Sequence, residues 1–250
     1  MRQRSGIVAS GLLAFALIRA SANVMDQIEP YTSLFGELEY GIAQIFPDQP
    51  LFSSMIIDDF EAVGPITSVS MAFELSDPAF FSRLPSAVRG WRISVFESVA
   101  AAERTSADFT DNALATVVVT QATYTTIGTV GSTTGFRVDF GNLTLDAGVG
   151  LRWIGVAAIL PAETQEQVFL LGNAQPVSYG GGAPNNAVFV NPGQQFGAWR
   201  SYPLSVNAAY RVESVPEPAA LTALALAVGM LTRRHNNTRT RTTTEGGKHQ

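Results

Sequence analysis

The residues of this chain that could do chemistry are its carboxylates, because the other usual groups are missing from most of its length. No cysteine occurs, and both histidines (His235 and His249) and the single lysine (Lys248) fall after residue 234. From residue 23 to 217 that rules out serine–histidine hydrolysis, histidine general bases, histidine or thiolate zinc sites and lysine Schiff bases. Carboxylate work is what remains. The densest acidic cluster is Asp58 and Asp59 with Glu61, read as lying at a strand end, where side-chain and backbone oxygens could hold a structural Ca²⁺. Such a site takes about 6–8 oxygens and only three acidic side chains are present, so the competing reading is a capped, solvated strand end. Asp108 and Asp111 form a second pair in a polar loop and read as turn residues as readily as ligands.

Two carbohydrate chemistries stay open. A carboxylate-only glycoside hydrolase needs two acids about 5–9.5 Å apart across the scissile bond, and spacing along the chain pairs none. Trp199 and Tyr202, with Tyr179 and Phe196, lie near glycine-rich loops and could stack on sugar rings in a binding module. The alternative for these amphipathic rings is to cap the core. Residues 23–217 hold 20 acids against eight arginines, a net charge near −12. A surface of that sign repels phosphate backbones, so nucleic acid is not an expected partner.

The elements that must position these residues read as strands. In Ile66 to Leu75, Val69, Met71, Phe73 and Leu75 share one face, and in Val88 to Ser98 Trp91, Ile93 and Val95 do the same. Further strands are expected at 53–60, 115–127, 135–145, 151–160, 167–171, 187–190 and 204–214. Turn formers separate them, among them Val63-Gly64-Pro65 and Asn191-Pro192-Gly193. Short helices or loops are expected at 77–85 and 99–112. The fold class is all-β, an antiparallel β-sandwich of jelly-roll type, because two amphipathic sheets bury their apolar faces on each other.

Both ends of the chain read as addresses. Arg2 and Arg4 precede an apolar run from Ile7 to Ile18, and Ala20-Ser21-Ala22 supplies the small residues that signal peptidase requires, so 1–22 is expected to be a secretory signal helix cleaved after Ala22. Near the other end, Val215-Pro216-Glu217-Pro218 breaks regular structure, since neither proline offers an N–H and each fixes its own φ. An uncharged apolar run, Ala219 to Leu231, follows, and then the pair Arg233-Arg234. A helix there would be about 20 Å long and would need snorkelling arginines or local thinning to span a bilayer of ~30 Å. The arginines would hold its end on the cytoplasmic side.

This order of V-P-E-P, apolar segment and arginine pair resembles the PEP-CTERM sorting signal of Gram-negative bacteria. The resemblance covers roughly the last tenth of the chain, and the tail from His235 to Gln250 runs further past the arginines than that signal implies. It implies export, transient residence in the inner membrane through a C-terminal transmembrane helix, and processing by an exosortase. The stretches Ile56 to Phe60, Gly90 to Phe96 and Leu151 to Val156 are similar to jelly-roll ectodomains found ahead of such signals. The expected organisation is thus a signal peptide (1–22), a β-sandwich ectodomain (23–214), the sorting signal (215–234) and a polar tail (235–250). The expected function is that of a non-catalytic, exported envelope or extracellular-matrix protein with exopolysaccharide as a conceivable partner. The rivals are a carbohydrate-binding module and a carboxylate-only glycosidase.

Overall fold

The computed structural model describes residues 23–28, 31–32, 42–75, 77–130, 133–161, 163–164, 167–173, 186–195, 200–204 and 206–216. The expected signal peptide (1–22), the apolar run Ala219 to Leu231, Arg233, Arg234 and the tail lie outside them. Among the described residues no helix is long and apolar enough to cross a membrane. The chain divides into two units, one of which runs without interruption from Asn23 to Val215.

The described residues of that unit are mostly strands, arranged in two large sheets and one small one. The first sheet is β1 (Asn23–Asp26), β16 (Tyr210–Ser214), β5 (Ile66–Leu75), β9 (Thr133–Phe140) and β8 (Thr123–Val130), in that spatial order, with β11 (Val168–Leu170) pairing the far end of β5. The second is β14 (Ser201–Pro203), β13 (Val188–Val190), β4 (Met55–Val63), β10 (Val149–Ile159), β6 (Gly90–Phe96) and β7 (Ala115–Val119), with β3 (Gln44–Ile45) beside β10. A small sheet of β15 (Asn207–Ala208), β12 (Gly172–Asn173) and β2 (Tyr31–Thr32) completes the set. Among the described residues all ladders are antiparallel except the two-residue pairing of β3 with β10.

The period-two pattern explains the packing. Val69, Met71, Phe73 and Leu75 of β5 meet Ile56 and Phe60 of β4, Trp91, Ile93 and Val95 of β6 and Ile154 and Val156 of β10 in one buried core between the sheets. Phe73 stacks on Phe136 at 5.7 Å between ring centres and lies 5.0 Å from Trp91, whose indole N–H donates to the Tyr124 hydroxyl at 2.9 Å. The outer face of the second sheet is apolar too. Met55, Ile57, Phe96, Trp153 and Val190 form a second cluster covered by the short helix Val99–Glu103 and by Phe109. The helix starts on Ser98, whose hydroxyl caps the Ala101 N–H at 3.2 Å.

Four sequence expectations change. The strand expected at 53–60 runs from Met55 to Val63, so Asp58, Asp59 and Glu61 lie inside it and not at its end. It continues because β10 pairs it as far as Val63, and it stops only where Gly64 (φ 152°) and Pro65 carry the chain across to β5 in the other sheet. The stretch 115–127 is two strands, β7 and β8, in different sheets. The stretch 135–145 ends as a strand at Phe140, and β9 begins at Thr133. The stretch 204–214 breaks at Ala209, where the chain leaves the small sheet for the first large one. Alternation reads which face a residue takes, but not which sheet a strand joins.

Candidate functional site

Asp58 stands in the inward register of β4, between Ile56 and Phe60, where every neighbour in the pattern is apolar. It is fully buried. Its Oδ2 accepts the backbone N–H of Ala208 at 2.7 Å and the side-chain amide of Gln27 at 3.1 Å, and its Oδ1 accepts the N–H of Asp59 at 2.9 Å. Burial pushes its pKa well above the ordinary carboxylate value and the nearby Asp59 charge adds to this, while the hydrogen bonds from Ala208, Asp59 and Gln27 oppose the shift. Around it, Gln27 gives its backbone N–H to the Tyr210 carbonyl at 3.0 Å. The Gln27 carbonyl accepts the Asn173 side-chain amide, and the Gln27 side-chain oxygen faces the Asn207 amide at 3.5 Å. Gln27, Asn173 and Asn207 are all buried, and among the described residues the Asn207 side-chain oxygen has no hydrogen-bond partner.

This arrangement ties four segments together at the point where the chain changes sheets. Asp58 belongs to β4, Gln27 follows β1, Asn173 ends β12 and Asn207 starts β15. Of the three donors aimed at the Asp58 carboxylate, the Ala208 N–H ties β15 to β4 and the Gln27 amide ties in the segment after β1, whereas the Asp59 N–H belongs to β4 itself; apolar packing could not satisfy a buried backbone N–H in this way. Tyr210 adds a second clamp: its hydroxyl donates to the Asp59 carbonyl and contacts the Met25 sulfur at 3.2 Å.

The acidic cluster read from the sequence is therefore divided by the pleat. Asp58 points into the sandwich, whereas Asp59, half-buried, and Glu61, exposed, point to the other face of the same strand with Met55 and Ile57. Side chains on opposite faces cannot share one cation, and among the described residues no group of three or more His, Cys, Asp or Glu comes together as a metal site. Asp108 sits in the loop after the helix Val99–Glu103. Its Oδ1 accepts the hydroxyls of Ser106 (2.6 Å) and Thr110 (2.8 Å) and, more weakly, the Thr110 N–H (3.4 Å). That is a turn closed on its own side chain. Phe109 takes φ 60° there, unusual for a bulky residue, with its ring buried in the outer cluster and its carbonyl accepting the Ser94 hydroxyl at 2.7 Å.

Of the two aromatics read as sugar platforms, Tyr202 lies on β14 and is 39% exposed, and Trp199 lies outside the described residues. Of the four residues expected to form a sorting motif, Val215 and Pro216 are described and Glu217 and Pro218 are not; the Val215 N–H donates to the Pro65 carbonyl at 2.9 Å. Ala20 and Ala22 also fall outside the described residues. Sequence reasoning missed Gln27, Asn173 and Asn207. The available signal was Asp58 itself, a charged residue at an inward position of an apolar alternation, which demands polar partners from elsewhere in the chain.

Fold and site together define an all-β sandwich stiffened by a buried polar node. Neither a family model nor a curated protein matches the chain.

Proposed function

We propose that this is an exported cell-envelope or extracellular-matrix protein, non-catalytic, whose β-sandwich is delivered through signal peptidase at one end and an exosortase-processed sorting signal at the other. The observation that carries this reading is the position of the folded unit's limits. It spans Asn23 to Val215, directly after the Ala20-Ser21-Ala22 cleavage motif and up to the start of Pro216-Glu217-Pro218. Asn23 lies opposite Ser214 in the sheet, so the two limits adjoin, and removing what lies beyond them leaves every ladder of the sandwich whole. A jelly-roll topology is supported by the strand order, since β1-β16-β5-β9 and β4-β10-β6-β7 interleave along the chain as its two four-stranded sheets do.

In this reading the apolar run Ala219 to Leu231 holds the protein briefly in the inner membrane, with Arg233 and Arg234 on the cytoplasmic side, and presents Glu217 to the protease. In a host with an exosortase the wild-type chain should lose its C-terminal segment, and Pro216→Ala/Glu217→Ala/Pro218→Ala should accumulate unprocessed in the inner membrane. Arg233→Glu/Arg234→Glu should weaken retention before processing. Mature protein that still carries Leu221 to Gln250, or normal processing of the triple variant, would sink the proposal. A surface carbohydrate-binding module is the second reading, favoured by the exposure of Tyr202 on an edge strand. Saturable binding of exopolysaccharide that Tyr202→Ala abolishes would select it.

A further inference from the structure

Among the described residues each large sheet has two edges, and the four edge strands are unequally protected. An edge presents unpaired N–H and C=O groups, and proteins blunt it with brevity, proline, charge or a bulge. β14 has three residues and ends in Pro203. β1 has four and carries Asp26, which pairs with Arg211 of β16 at 3.8 Å. β8 has a register shift between Thr126 and Gly128, with Gly128 at φ 93°, so its edge is bent by a bulge. β7 has none of these devices. Its five residues, Ala115-Thr116-Val117-Val118-Val119, pair in unbroken register with β6, and no charged residue or proline occurs anywhere from residue 112 to 136. Leu114 and Val118 are 47% and 40% exposed beside it.

We infer that β7 is the edge at which two copies of this chain join, as an antiparallel strand pair about a two-fold axis at Val117. The occupant follows from charge and from self-complementarity. Residues 23–217 carry a net charge near −12. Two such copies meet with least repulsion where the edge strand itself carries no charge, and the nearest cation, Arg92 of β6, is already engaged by the Thr116 hydroxyl and the Asp108 charge, which leaves little on this strand to select a strongly charged partner. Pairing about Val117 sets Thr116 opposite Val118 and Ala115 opposite Val119 in both directions, which closes the contact and gives β-branched cross-strand pairs at Thr116–Val118 and at Val117 with its own copy. Ala115, Val117 and Val119 already pack, half-buried, against the main core, and the partner strand would cover what they still show to water. The second sheet would then run unbroken from one copy into the next. The inference does not depend on how the chain is sorted.

A contact of five residues per strand belongs to the small, transient class of interface, so the dimer should form at about 100 µM protein and dissociate on roughly 100-fold dilution. Sedimentation of the full chain in mild detergent reads this directly. Thr116→Lys/Val118→Lys sets lysine opposite lysine across the axis. It should weaken the dimer at least about tenfold while each copy stays folded, with a melting temperature lowered only slightly, because Val118 lies opposite Arg92 and the Thr116 hydroxyl bonds Arg92 and Ser94. The absence of native cysteine allows a register test. An equimolar mixture of Thr116→Cys and Val118→Cys should form an oxidised heterodimer in higher yield than either variant alone. A monomer at about 100 µM, a dimer that the double-lysine variant leaves intact, or cross-linking no better in the mixture would each overturn the inference.

Discussion

Asp58 and Asp108 are the same residue type about one-fifth of the chain apart, and their surroundings drive them in opposite directions. Asp58 is enclosed between the sheets, where loss of water outweighs three hydrogen bonds and lifts its pKa. Asp108 is largely open to water. Its slight burial also works against ionisation, but the hydroxyls of Ser106 and Thr110, the Thr110 N–H and the charge of Arg92 together hold its pKa below the ordinary value. Similar numbers of donors thus produce opposite outcomes. The deciding variable is how much solvent the carboxylate gives up, because desolvation of a buried charge exceeds what a few N–H donors return. The consequence is a division of labour: Asp58 fastens β4 to β15 across the core, and Asp108 only closes its own turn.

Four measurements can break or sharpen that contrast, starting with the largest expected effect. Asp58→Ala leaves the Ala208 N–H and the Gln27 amide without their acceptor and opens a void, so unfolding by urea should show a loss of about 3–5 kcal/mol. A loss below about 1 kcal/mol would mean that the node is not holding the sheets together.

Asp58→Asn removes the titration with little change of volume. A carboxyl whose folded pKa is raised contributes stability that is complete below its unfolded pKa and is lost as pH rises through the folded value. The wild type should therefore fall in melting temperature relative to Asp58→Asn as pH rises from about 4 upward. Parallel curves for the two proteins would contradict the raised pKa. Tyr210→Phe should cost roughly 1–2 kcal/mol through loss of the hydroxyl bond to the Asp59 carbonyl, with the same pH slope as wild type. Smallest is Asp108→Asn, expected at ~0.5 kcal/mol because the turn is exposed. Its pH dependence has the reverse sign: the folded pKa is lowered, so the contribution of Asp108 is present above the unfolded pKa and is lost as pH falls through the folded one. An Asp108→Asn loss as large as that of Asp58→Ala would erase the contrast.

The amino-acid sequence alone settled the all-β class, the inward faces of β5 and β6 and which reactive side chains residues 23–217 contain. Each of these depends on residue identity or on the two-residue period, and both are local properties. The alternation in Val69, Met71, Phe73 and Leu75 is visible without knowing what they pack against, and so is the lack of histidine and lysine from residue 23 to 217. The polar node was not legible in the same way. Asp58 announced a need for partners, but Gln27, Asn173 and Asn207 are 31, 115 and 149 positions away, and nothing in their own neighbourhoods marks them. Only the tertiary fold decided that the strand extends to Val63 and so carries Glu61 with Asp59 on the face opposite Asp58, because the length of β4 is set by its pairing with β10. It likewise decided that 115–127 turns from one sheet into the other. Strand length and sheet membership are fixed by hydrogen bonds to distant residues, which the local period does not encode.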